Sequence, residues 1–190
     1  MTLEFKGKEK LIRRIDDAIS SDCPHEITAC LRDALCKSIG DPDIELPEVV
    51  YEPIADHYAR REIYHDPQGR YCVIAMTWDS GQGTPIHDHG GLWCVEGVWS
   101  GCIEVVSFEP TERQGDRYRF EKMGSITAGC GSAGSLIPPH EYHTIRNPDP
   151  ERPAVSVHIY GGMMVECCLY EPAGDGWCRK EVKQLELDAA

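Results

Sequence analysis

Near residue 49 the chain changes texture, and that change constrains the fold more than any other feature. Runs rich in β-branched and aromatic residues at 59–64, 71–78, 92–99, 101–108, 135–137, 142–146, 154–160 and 163–170 alternate with Gly, Pro and Asp. Many short strands with turn punctuation predict a sandwich or barrel. Asp66-Pro-Gln-Gly69 reads as a hairpin turn, and polar 110–116 reads as a loop. Upstream the spacing is helical. Leu11, Ile12, Ile15, Ala18 and Ile19 recur at helix period. A second helix is expected to open at Asp22 as cap, with Pro24 in its first turn. It carries Ile27, Cys30, Leu31, Ala34, Leu35 and Ile39 and stops at Gly40. Pro42 and Pro47 prevent its continuation. The expected organisation is a helical segment, 1–48, packed on a β-barrel, 49–190, in one structural domain.

Charge and composition exclude several classes of partner. A net charge of −13 over 190 residues argues against nucleic acid and against anionic membranes, which both need a basic face. The first ten residues lack the apolar run of a signal peptide, and no stretch approaches a membrane span. The expected location is cytoplasmic. Ten cysteines could suggest a disulfide scaffold, but the chain is long for one and shows no secretion signal. There is no C-x-x-C pair, so a cysteine-type zinc site is not expected. Most of the cysteines read as small reduced hydrophobes.

The chemistry gathers around Gly81-Gln-Gly-Thr-Pro-Ile-His87-Asp-His89. Two histidines at i and i+2 share one face of a strand, so both imidazoles can grip one metal. Cys94 follows five residues after His89, and Gly101 lies further on. Downstream stands Pro138-x-His140-x-x-His143-x-x-x-Asn147. The first set resembles the first cupin motif, with cysteine where a metal-ligating glutamate is usual, and the second echoes the second cupin motif. That resemblance implies a mainly β cupin jelly-roll barrel with an N-terminal helical segment. It also implies a metal held by His87, His89 and His143. His140 is a rival third ligand, although the Asn147 spacing favours His143. Glu96 is another rival, because it shares a strand face with Cys94.

The loss of the glutamate narrows the resemblance. His87-Asp88-His89, Cys94, His143-x-x-x-Asn147, Ser156-Val-His158-Ile-Tyr160 and Tyr58-Ala-Arg60-Arg61 are together similar to the thiol dioxygenases of the cysteine dioxygenase type. The resemblance implies an Fe(II) cofactor, a small-molecule thiol and O2 as substrates, and a sulfinic acid as product. The physical logic agrees. Three neutral imidazoles leave the +2 charge of the ion uncancelled, which favours a thiolate, and three protein ligands leave positions open.

By the same resemblance Arg60, with Tyr58 in the same strand, binds the substrate carboxylate through a fork of N–H bonds. Arg61 points to the opposite face and would exchange roles with Arg60 if the register slipped. Relatives acting on 3-mercaptopropionate carry glutamine at the Arg60 position, so arginine favours L-cysteine, with 3-mercaptopropionate and mercaptosuccinate as alternatives. Ser156, His158 and Tyr160 alternate along one strand, and the resemblance implies a serine-to-histidine-to-tyrosine relay. As a hydrolase triad it lacks the G-x-S-x-G elbow. Cys94 and Tyr160 are the candidates for a thioether crosslink. Trp93 is a candidate wall of the site. The tail from Glu171 onward carries no functional signal. A metal-binding cupin module without turnover would keep the histidines and need neither Arg60 nor Tyr160.

Overall fold

A computed structural model describes residues 3–189. Helices α1 (Lys8–Ala18) and α2 (Pro24–Ile39) open the chain, and a 3-10 turn (Glu48–Tyr51) leads into the strands. Cys23 rather than Asp22 precedes the second helix, with Pro24 at its first position. Proline is favoured there because that N–H has no partner within the helix.

Among the described residues eleven strands follow: β1 (Ala59–His65), β2 (Cys72–Trp78), β3 (Ile86–His87), β4 (Cys94–Ser100), β5 (Cys102–Gln114), β6 (Arg117–Gly129), β7 (Ala133–Leu136), β8 (His143–Arg146), β9 (Ala154–Tyr160), β10 (Glu166–Pro172) and β11 (Cys178–Gln184). They form a five-stranded sheet, β1-β2-β9-β4-β7, and a closed set, β10-β11-β6-β5-β8-β3. The expected mainly β barrel with helices at its N-terminal end is therefore present. The Asp66–Gly69 turn joins β1 to β2, with Gly69 N–H donating to the Asp66 carbonyl at 2.8 Å.

The five-stranded sheet is covered on both faces, which explains why β2 and β9 are buried along their whole length. Alternation assigns the two faces. Val73, Ala75, Val95, Val155, Val157 and Ile159 face outward and pack with Leu11, Ile15, Leu31 and Leu35 of the helices. Ile74, Met76, Trp78, Cys94, Val98 and Tyr160 face inward, against Ile103, Val105, Ile145 and Cys167 of the other strands. Gly97 marks the closest approach of helix to sheet, since a Cβ there would lie 2.8 Å from Leu35. Trp93 packs with the outer cluster and covers Gly161, where a Cβ would lie 2.4 Å from its indole. The expectation that Trp93 walls the site is thereby corrected.

The polar stretch 110–116 is not a loop. β5 runs through Pro110 to Gln114 and returns as β6, with register shifts at Ser107/Phe108 and Pro110/Glu112. Such irregularities accommodate a proline that cannot donate to the ladder. The tail likewise contains a strand, β11, paired along β10.

Candidate metal centre

His87, His89 and His143 converge, with one potential ligand atom from each lying within 4.8 Å of the others. His87 stands on β3 directly opposite His143 on β8, and their ring centroids are 4.2 Å apart. His89 lies beyond the end of β3, so strand alternation does not aim it. Asp88 does so instead. Its Oδ1 accepts from Gly90 N–H at 3.1 Å and Cys168 N–H at 2.9 Å, and its Oδ2 accepts from the Tyr170 hydroxyl at 3.0 Å. These bonds pin the turn that carries His89 to β10.

Each histidine has an oxygen at its Nδ1. His87 Nδ1 lies 3.2 Å from the Pro85 carbonyl, His143 Nδ1 lies 2.8 Å from the Glu141 carbonyl, and His89 Nδ1 lies 3.2 Å from Glu141 Oε2. Carbonyl and carboxylate oxygens only accept, so each Nδ1 carries a proton, which leaves Nε2 as the nitrogen that can bind a metal. Burial also holds the His87 imidazole down to about 3 and that of His143 well below the ordinary range. The two rings are therefore neutral near pH 7. A pre-oriented set of imidazoles with occupied outer nitrogens is the donor arrangement that a divalent transition metal requires. These residues fit such an ion.

The two rival ligands lie elsewhere. His140 is exposed and paired with Glu109 at 2.8 Å. Glu96 is buried on the inner face of β4, but its Oε2 lies 3.5 Å from His158 and the residue is not part of the histidine cluster. Asn147 donates from Nδ2 to the carbonyls of Trp78 and Arg152 at 3.1 and 2.8 Å. It secures the loop after β8 to the end of β2.

Cys94 on β4 and Tyr160 on β9 are direct partners across the sheet, both buried and both inward-facing. Burial pushes the thiol and the phenol up, so each is neutral in the protein without metal. His158 Nε2 lies 2.8 Å from Ser156 Oγ, which accepts from Trp78 Nε1–H at 2.8 Å. The expected third link is missing. The His158 and Tyr160 rings are stacked, 6.0 Å apart and inclined by 16°, and His158 Nδ1 lies instead 4.0 Å from Cys94 Sγ and 3.5 Å from Glu96 Oε2. Residues i and i+2 of a strand stand side by side, which stacks these rings rather than bonding them.

The register resolves the two arginines. Arg60 pairs with Met76, an inward-facing residue, and its charge reaches His158 and Tyr160. Its Nη1 donates to the Glu186 carbonyl at 3.1 Å, while its buried Nη2 has no protein partner. Arg61 points to the outer face and donates to Thr77 Oγ1 at 3.3 Å. Tyr58 stacks on Trp78 at 4.4 Å beside Arg60. Sequence reasoning missed the tail here. Asp188 accepts from Arg60 N–H at 2.7 Å and returns its own N–H to the Arg60 carbonyl at 2.8 Å. Asp88 and Glu141 were missed as well, although each lies within two residues of a candidate ligand. All ten cysteines are free thiols, and no helix among the described residues is long and apolar enough to cross a membrane.

Comparison with known proteins agrees with this geometry. The cysteine dioxygenase type I family model matches residues 51–172. The chain is 20% identical over 123 residues to cysteine dioxygenase type 1 of Rattus norvegicus, covering 64% of this chain and 60% of that protein. It is 21% identical, with the same coverage, to the Bos taurus enzyme. The match thus spans about 60% of the length of these curated relatives. Among solved structures, an uncharacterized conserved protein with a double-stranded β-helix domain from Klebsiella pneumoniae superposes with a TM-score of 0.51 at 17% identity, over 68% of this chain and 92% of that one. With the family match covering well over half of its length, the chain belongs to the cysteine dioxygenase type I family.

Proposed function

We propose that the protein is an iron(II)-dependent thiol dioxygenase that converts a small carboxylate-bearing thiol, L-cysteine in the first instance, to its sulfinic acid. The observation that carries this reading is the pairing of a converging three-histidine set with a buried arginine whose Nη2 lacks a partner among the described residues. Iron(II) held by His87, His89 and His143 would supply open positions for thiol sulfur and O2 and the one-electron chemistry that lets O2 react with a closed-shell thiol.

The remaining work falls to the chain. The neutral imidazoles leave the cation's charge intact, which favours the substrate as thiolate over thiol. Arg60, with Nη2 free and Nη1 on a backbone carbonyl, binds the substrate carboxylate and sets the distance from carboxylate to sulfur. Tyr58 and Trp78 form a stacked wall beside that arginine. Tyr160 offers a neutral phenol at the inner face, and burial around Cys94, His158 and Tyr160 keeps water out. Cys94 in place of a carboxylate ligand weighs against cupin chemistries that depend on that carboxylate. The location we propose is cytoplasmic.

We also assign Cys94 and Tyr160 as a crosslink pair. A thioether would form by loss of the thiol hydrogen and one ring hydrogen, with two electrons passing to O2, so intact mass after turnover should fall by two hydrogens. The function itself is tested by loading the protein with Fe(II) and following O2 uptake and sulfinate formation with cysteine, 3-mercaptopropionate and mercaptosuccinate. Uptake is expected with cysteine at least, and no uptake with any of the three would refute the proposal.

A further inference from the structure

Glu96 is the least explained buried group in the barrel. It is 6% exposed, and its Oε2 has no hydrogen-bond partner. A deeply buried carboxyl oxygen without a partner costs free energy that a chain does not spend without some return. The side chain lines a cavity of about 170 Å3 whose other walls include Val98, Ile103, Val105, Ile126 and Leu136. None of the residues lining that cavity is basic. The titratable groups that face Glu96 all come from its own strand and from β9: Cys94, His158 and Tyr160. β5, β6 and β7 present only apolar residues, serines and glycine to it.

The neighbouring hydrogen bonds fix what His158 offers. Trp78 Nε1–H can only donate, and it donates to Ser156 Oγ. The Ser156 hydroxyl proton is then free to go to His158 Nε2, 2.8 Å away. His158 Nε2 is thus an acceptor, and its single proton sits on Nδ1. That Nδ1 lies 3.5 Å from Glu96 Oε2, without a hydrogen bond between them, and 4.0 Å from Cys94 Sγ.

We propose that Glu96 is a positioning residue for the Ser156–His158 pair: when ionised it accepts the His158 Nδ1 proton and draws the imidazole toward itself, and when protonated it releases the ring toward Cys94 and Tyr160. The series Trp78–Ser156–His158–Glu96 then replaces the serine-to-histidine-to-tyrosine order, with Glu96 rather than Tyr160 at its far end. Burial raises the Glu96 carboxyl to about 7, so the two states exchange near neutral pH. The bearing of this on turnover rests on the thiol dioxygenase reading; the hydrogen bonding does not.

The test uses the full chain without added metal, labelled with 15N-histidine, and follows the His158 ring by NMR from pH 5.5 to 8.5. In the wild type, the Nδ1 proton resonance should step downfield with a midpoint near pH 7 while Nε2 keeps the shift of an acceptor. Glu96→Gln, which preserves shape and cannot ionise, should abolish the step. Glu96→Leu should leave the resonance at its low-pH position throughout. A wild type without the step, or a step that survives in Glu96→Gln, overturns the proposal. In the iron-loaded enzyme, kcat should lose a pH dependence near 7 in Glu96→Gln. An NMR step in a protein that oxidises no thiol supports the role of Glu96 and refutes the dioxygenase reading alone.

Discussion

Glu141 serves two of the three clustered histidines at once. Its Oε2 lies 3.2 Å from His89 Nδ1, and its backbone carbonyl accepts from His143 Nδ1 at 2.8 Å. The carboxylate sits two residues before His143 in sequence, so one short segment supplies a candidate ligand and orients two. Carboxylate–imidazole contacts of this kind typically contribute 10–100-fold to metal affinity.

Glu141→Ala removes the side-chain contact to His89 and keeps the carbonyl contact to His143. We expect Fe(II) affinity to fall about 10–100-fold, measured by anaerobic titration of the metal-free protein. His140→Ala, at an exposed residue whose ring pairs with Glu109, should leave the affinity within about twofold, because it removes none of the oxygens that orient the cluster. Equal losses in the two variants would contradict the assignment of the ligands.

The two adjacent arginines should separate cleanly in kinetics. Arg60→Gln loses a buried charge facing the site, worth roughly 2 kcal/mol or more, so KM for a carboxylate thiol should rise about 30-fold or beyond. Arg61→Gln acts on the outer face beside Thr77 and should change KM by less than about threefold, since it loses no contact with substrate. With a thiol that lacks a carboxylate, Arg60→Gln should lose its disadvantage. Similar KM values for both variants with cysteine would place the clamp elsewhere.

Stability of the metal-free protein carries two opposing pH dependences. Burial holds His87 down to about 3 and His143 and His158 well below their ordinary range, so the unfolded chain binds the extra protons. Their contribution is present above pH 6.5 and is lost as pH falls toward 3, at about 1 kcal/mol per histidine between pH 7.5 and 5.5. Glu96 has the reverse sign. Its folded value is raised from 4.5 to about 7, so its contribution is present below pH 4.5 and is lost as pH rises through 7. Wild-type stability should therefore rise with pH between 5.5 and 7.5, but by less than the three histidines alone would give. Glu96→Gln should unmask the histidines, and its urea midpoint should fall measurably on acidification over that range. Relative to wild type, the variant should gain on the order of 2 kcal/mol between pH 5.5 and 7.5. Parallel pH profiles for the two proteins would show that Glu96 does not titrate there.

Much of this architecture was legible in the residues. β9 is predicted at its observed bounds because β-branched and aromatic residues dominate it and Pro153 and Gly161 flank it. The opposite facing of Arg60 and Arg61 followed from alternation alone. What was missed shares a physical cause. The far end of β5, 110–114, is exposed on both sides, so no period-two pattern is imposed on it and 110–116 reads as a loop. β11 is exposed along most of its length for the same reason. The roles of Asp88, Glu141 and Asp188 depend on bonds to β10, to His89 and to β1, and such contacts leave no local signature. The stacking of His158 on Tyr160 was implicit in their i, i+2 spacing, which places rings side by side.

The central claim is that both oxygen atoms of O2 enter one thiol at the His87–His89–His143 centre. The most direct test is a turnover of Fe(II)-loaded protein with cysteine under oxygen-18 gas, with the sulfinate read by mass spectrometry. Incorporation of two oxygen-18 atoms per sulfinate in the wild type, and no sulfinate from His143→Ala, is the predicted result. Sulfinate carrying one label or none, or O2 consumed with release of hydrogen peroxide and disulfide instead, would contradict it.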